Sequence, residues 1–196
     1  MLKTGLCIVL FALAAGCVPT QKPLTDYVNP LLGTATLWDS VDLGFKPTKR
    51  TWGAEVFPGS SLPNAMVQVS PVTKFHSGAG YQYEDSVIYG FTHTNKGHWN
   101  LCHIPLLPVT GMPLPGDYCS PYSHARESAA PGYYRVFLDR YGVDAELTST
   151  LRCAFHKYTY PAGAQAALLA DLQRSNEHVR AWDIRKEGDN AFAGWQ

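Results

Sequence analysis

The sequence has no excess of charge of either sign and few charges altogether. Sixteen Lys and Arg stand against 16 Asp and Glu in 196 residues, and charged residues make up 16% of the chain. Without a basic face there is nothing to meet the phosphates of a nucleic acid, and no polybasic patch to hold an anionic membrane surface. Long apolar runs are missing too. The run from Leu6 to Leu13 is too short to span a bilayer. No segment carries a long, capped helical period, which removes the all-helical folds. Cysteines number 5, and neither the spacing of a zinc knuckle nor a complete disulfide framework can be built from them.

The first of these absences has a positive side. "MLKTGLCIVLFALAAGC" joins Lys3, a short apolar run and small residues ahead of Cys17, which is the shape of an export signal. Small residues directly before a cysteine resemble a bacterial lipoprotein signal, although Ala14 stands where a Leu is usual. The expected organisation is a signal over residues 1–16, lipidation at Cys17, and a tether over 17–25. A mature domain follows over 26–196, exported to the outer membrane, periplasm or cell surface of a bacterium. The membrane would be touched only through the lipid. Cys102, Cys119 and Cys153 then remain, an odd set that leaves one unspecified bridge or buried free thiols open.

What the sequence does have is aromatics, at 12% with 11 Tyr and 5 Trp, and frequent punctuation by 17 Gly and 14 Pro. Between the punctuation lie short β-type runs. "NAMVQVSP" (Asn64 to Pro71) alternates, "GYYRVFLD" (Gly132 to Asp139) is aromatic and β-branched, and Val143 to Phe155 alternates for longest, its odd positions apolar but for Ser149. Such alternation predicts a half-buried strand, or two joined by a bend. "AQAALLADL" (Ala164 to Leu172) is apolar throughout and predicts a buried strand, with a helix fitting nearly as well. The final "VRAWDIRKEGDNAFAGWQ" predicts a strand, a turn and a second strand reaching Gln196. The fold class is mainly β, an antiparallel sandwich. The hairpin at the very end suggests a piece of a longer chain.

"GFTHTNKGHWNLCHIPLLPVTG" (Gly90 to Gly111) concentrates the chemistry. His93, His98 and His103 recur every five residues, a spacing that matches no helical metal face. A zinc site with Cys102, or Cys–His catalysis, therefore ranks behind ligand contact. In "THTNKGHWN" the turn residues Asn95, Lys96 and Gly97 project His98 and Trp99. An indole face stacks on a pyranose while imidazole and amide groups bond its hydroxyls. His93, Asn95, His98 and Trp99 are the candidate sugar-binding residues. Trp99 in the core and histidines bonded to loop backbone are the plainer readings. No carboxylate pair stands out for acid–base work, and Glu55 is the least dismissible acid.

Six ordered segments together resemble the N-terminal domain of the family 92 glycoside hydrolases. They are "DYVNPLLGT" (Asp26 to Thr34), "VFPGSSLPNAMVQVSP" (Val56 to Pro71), "GYQYEDSVIYGFTHTN" (Gly80 to Asn95), "IPLLPVTG" (Ile104 to Gly111), "YSHARESAAPGYYRVFL" (Tyr122 to Leu138) and "AELTSTLRCAFHKYTYP" (Ala145 to Pro161). The resemblance implies a β-sandwich packed on a C-terminal (α/α)6 barrel in a calcium-dependent, inverting exo-α-mannosidase. Calcium ligands and both catalytic carboxyls would then lie beyond Gln196, and this chain alone would bind no metal and be inactive. Its partners would be a mannose-containing glycan and the barrel, and its role to supply pocket-closing loops. Three departures fall at those loops: "HTNKGHWNLCH" replaces a Gly-rich loop, "LPNAMVQ" replaces a commoner Pro-Phe-Gly-Met, and "ATLWDSVDLGFKPTKRTW" (Ala35 to Trp52) is inserted. The alternative is a stand-alone carbohydrate-binding or interaction module. The two differ in that a domain meant to dock should expose an apolar patch.

Overall fold

The computed structural model describes residues 21–36, 55–96 and 100–196. The signal segment with Cys17, most of the Ala35 to Trp52 insertion, and His98 with Trp99 lie outside the described residues.

The architecture is two facing antiparallel sheets. One contains β1 (Ser60–Ser61), β2 (Gln68–Val72), β4 (Gly90–Thr92), β7 (Leu106–Thr110) and β13 (Ala166–Ala170), in that spatial order. The other runs β12 (Ala154–Thr159), β11 (Val143–Ser149), β10 (Tyr133–Leu138), β9 (Glu127–Ala130). Three small ladders complete it: β3 (Val87–Ile88) with β8 (Ser120–Pro121), β5 (Asn95–Lys96) with β6 (Asn100–Leu101), and β14 (Asp183–Glu187) with β15 (Ala191–Trp195). Period-2 patterning sends Tyr134, Val136, Leu138, Val143, Ala145 and Leu147 inward from the second sheet. There they meet Val69, Phe91, Leu107 and Val109 of the first. Each such burial of a Val, Leu or Phe stabilises the fold by roughly 1.5–3 kcal/mol. Tyr81, Tyr118, Tyr122 and Tyr141 fill the gaps with rings, and the hydroxyls of Tyr81, Tyr118 and Tyr141 reach polar partners while that of Tyr122 is buried without one.

The Val143 to Phe155 run forms two strands joined by a bend, one of the two arrangements expected, but its inward phase and the burial of the Ala164 to Leu172 run need correction. The alternation from Val143 to Phe155 is broken by a turn in which the Thr150 amide donates to the Cys153 carbonyl over 2.8 Å. The turn reverses the phase, so Ala154, His156 and Tyr158 face inward on β12 while Leu151 and Phe155 are exposed. The apolar Ala164 to Leu172 run does form a strand, but an exposed one. Among the described residues β13 pairs only with β7, and as the last strand of that sheet it keeps Leu168 54% exposed. The final hairpin forms as expected, and it too is solvent-facing, with Trp195 at 55%. Met112, Leu114, Leu168, Trp182 and Ile184 converge on one apolar groove of about 600 Å³ beside β13 and β14. Cys102, Cys119 and Cys153 are all free thiols.

Candidate functional site

The connection from β4 to β7 is built by close packing at its two ends. At Gly90 an added Cβ would come within 2.9 Å of Pro105 Cβ, so only glycine lets β4 lie this near the start of β7. Gly80, at φ +83°, underlies the other end, where an added Cβ would sit 2.6 Å from Cys102 Sγ. Leu101, Cys102 and Ile104 have φ values of 65°, 57° and 47°. For side-chain-bearing residues this left-handed run costs on the order of 1–2 kcal/mol each and needs outside support.

The support comes from Asn95, which is fully buried. Its Nδ2 donates to the carbonyls of Gln68 (2.7 Å) and Thr92 (3.0 Å), and its Oδ1 accepts the Thr92 hydroxyl at 3.0 Å and the Cys102 thiol at 3.4 Å. Asn176 reaches the same spot: its Nδ2 donates to Cys102 Sγ (3.4 Å) and to the Ser77 carbonyl (3.1 Å), and its own amide to the Leu101 carbonyl (2.9 Å). Asn95 thus spends its amide group on the frame of the loop. Burial pushes the Cys102 thiol up to about 12, which removes it as a thiolate nucleophile near neutral pH.

The two described histidines of the stretch part company. His93 crosses to the other sheet, its Nε2 lying 2.7 Å from His156 Nε2, and His156 Nδ1 lies 2.6 Å from the Tyr158 hydroxyl. Burial lowers the pKa of both imidazoles, that of His156 to about 4 with help from neighbouring His93. His103 instead faces the chain's end: Nδ1 is 3.1 Å from Gln196 Oε1 and Nε2 is 3.7 Å from a Glu177 carboxyl oxygen. Gln196 in turn donates to the carbonyls of Leu172 and Arg174. The loop is therefore clamped by β12 on one side and by residues 171–177 on the other.

A second polar cluster was not anticipated from the sequence. The Glu127 side chain is fully buried. It accepts the hydroxyls of Tyr134 (2.6 Å) and Tyr81 (2.9 Å), and His124 Nδ1 lies 2.5 Å away. Burial and the adjacent Glu127 hold the Tyr134 hydroxyl protonated. A carboxyl so enclosed cannot reach a substrate; it ties the sheet edge together. The spacing His124-x-x-Glu127 is the only sequence sign of it. Beside the apolar groove, Asp171 accepts the Tyr118 hydroxyl, and the Arg174 guanidinium sits 5.3 Å from the centre of the Tyr89 ring and 5.5 Å from that of Tyr118.

Among the described residues no group of three or more His, Cys, Asp or Glu side chains could hold a metal ion. Most of their carboxyls are engaged by Arg, Lys, Tyr or His. These residues do not fit a calcium site. No helix among the described residues is long and apolar enough to cross a membrane.

Fold and site together define an antiparallel β-sandwich domain whose candidate site is a loop clamped from two sides. The chain belongs to the family described as the glycosyl hydrolase family 92 N-terminal domain, whose model matches residues 27–196. Among solved structures it is similar to a family GH92 α-mannosidase from Bacteroides thetaiotaomicron in complex with mannoimidazole. The identity there is 31% and the TM-score 0.75, over 88% of this chain and 23% of that one. It is also similar to a family GH92 inverting mannosidase from Bacteroides thetaiotaomicron VPI-5482, with 27% identity and a TM-score of 0.61 over 75% and 19%. The chain thus spans about a quarter or less of the length of these structures. No curated protein matches it.

Proposed function

We propose that the chain serves as the N-terminal domain of an exported α-mannosidase and lends its Gly90 to Gly111 loop to a mannose pocket completed by a catalytic domain. The carrying observation is the likeness to the mannoimidazole-bound α-mannosidase across 88% of the chain. In this reading His98 and Trp99 face the sugar, His93 and Asn95 hold the loop in place, and Cys17 carries a lipid. Calcium, and the acid and base carboxyls of an inverting hydrolysis, belong to the catalytic domain. The apolar groove lined by Met112, Leu114, Leu168, Trp182 and Ile184 supports docking of such a domain, because a lone soluble module gains nothing from exposing it.

Reading the coding DNA past the Gln196 codon tests the partnership. A frame that continues into a helical domain supports it, and a stop there turns the reading toward a sugar-contacting module. In the continued protein, His98→Ala and Trp99→Ala should each raise KM for an aryl α-mannoside. The 196-residue chain alone should release no mannose from that substrate, and release by it would overturn this division of labour.

A further inference from the structure

We propose that the His93–His156 pair is an acid-released clasp, which fastens the Gly90 to Gly111 loop to β12 when both rings are neutral and lets it go when they take up protons. This inference stands independently of the mannosidase reading.

The geometry gives the pair this property. Two imidazole Nε2 atoms 2.7 Å apart can share a hydrogen bond only while one of them lacks a proton. The far nitrogen of His156 meets the Tyr158 hydroxyl at 2.6 Å, and a hydroxyl can donate or accept, so either neutral tautomer completes the chain. A first added proton places a positive charge between the sheets. A second leaves two N–H groups pointing at each other.

Among the described residues that charge meets no counter-charge. Tyr158 on the inward face of β12 and Tyr160 just after the strand are the titratable groups there, and burial raises both, so they stay uncharged. Lys157, between His156 and Tyr158, turns outward to Glu146 at 2.7 Å. On β4 the neighbour is Phe91, whose ring centre lies 6.3 Å from that of His156. On the β4–β7 connection, Cys102 is held by Asn95 and Asn176, and His103 by Gln196 and Glu177. Among the described residues no carboxylate pairs with either ring of the clasp. Desolvation therefore lowers both pKa values.

The link reaches the loop through the backbone. The His93 carbonyl accepts the Gln68 amide at 3.0 Å, and one residue on, the Thr94 carbonyl accepts the Cys102 amide at 2.7 Å. These two amides report on whether the loop is fastened.

The test uses the 196-residue chain, with imidazole titration by NMR and amide exchange from pH 8 to pH 4, corrected for the intrinsic pH dependence of exchange. The rings of His93 and His156 should stay neutral through pH 6.5 and titrate together below it. The Gln68 and Cys102 amides should lose roughly tenfold or more in protection over that range, while Val136 and Leu147 amides stay protected. His156→Gln, which keeps a hydrogen bond but cannot titrate, should abolish the acid step, and His93→Gln should do the same if the first variant folds poorly. Independent titration of both rings near 6.5 would overturn the proposal. So would unchanged protection of the two amides, a simultaneous loss at Val136 and Leu147, or an acid step that survives in the variants.

Discussion

The two inter-strand polar clusters differ in one respect that governs everything else about them. Around Glu127 two tyrosine hydroxyls and an imidazole converge on one carboxyl with no exposed side-chain surface. Around His93 and His156 two bases have, among the described residues, only each other and a phenol for hydrogen-bonding side chains. The first cluster is satisfied and rigid; the second is satisfied in one protonation state. Polar burial of similar depth gives a fixed joint in one place and a conditional joint in the other, and the deciding quantity is whether a counter-charge is present.

Breaking the fixed joint should have the largest effect. Glu127→Ala strands the Tyr81 and Tyr134 hydroxyls without their acceptor and is expected to cost about 3–5 kcal/mol in urea unfolding. A loss under about 1 kcal/mol would mean that water replaces the carboxyl there. Asn95→Ala comes next. It leaves the Gln68 and Thr92 carbonyls and the Cys102 thiol short of a partner, and should cost about 2 kcal/mol by the same measurement.

The conditional joint is sharpened by pH. Depressed histidine pKa values mean that the unfolded chain binds more protons than the folded one between the ordinary value near 6.5 and about 4. Stability should therefore be full above pH 6.5 and fall as the pH drops through that window. The decline should flatten in His156→Gln, as read from thermal midpoints at pH 7 and pH 4.5. The smallest effect is expected from Tyr160→Phe, which removes one inter-sheet hydrogen bond to the Ala167 carbonyl and should cost about 1 kcal/mol at most, with no pH dependence.

Much of the fold was legible because it rests on local pattern. Val143, Ala145 and Leu147 announce an inward face by alternation alone, and Glu-Gly-Asp-Asn announces the final turn. The phase reversal at Thr150 to Cys153 was not legible, because a four-residue turn inside an alternating run leaves the alternation superficially intact. Burial of β13 was misjudged for a different reason: an apolar run reports what a strand prefers, while its place at a sheet edge is decided by pairing far away in sequence. At the site, the Gly90 to Gly111 stretch was visible by composition. Its clamps were not, since His156, Asn176 and Gln196 lie 63 to 93 residues from their partners. No local pattern marks a single polar residue that will be met across the fold.

The unguarded edge of β13 has a practical consequence for handling the protein. Natural sheets protect such edges with lysine, proline or a bulge, and "AALLA" has none of them in its five residues. Purified as the 196-residue chain, it should self-associate as concentration rises, through a segment that is ordered and correctly folded. Leu168→Lys supplies the missing guard at an already exposed position, and should lower the oligomer fraction in sedimentation velocity without moving the unfolding midpoint.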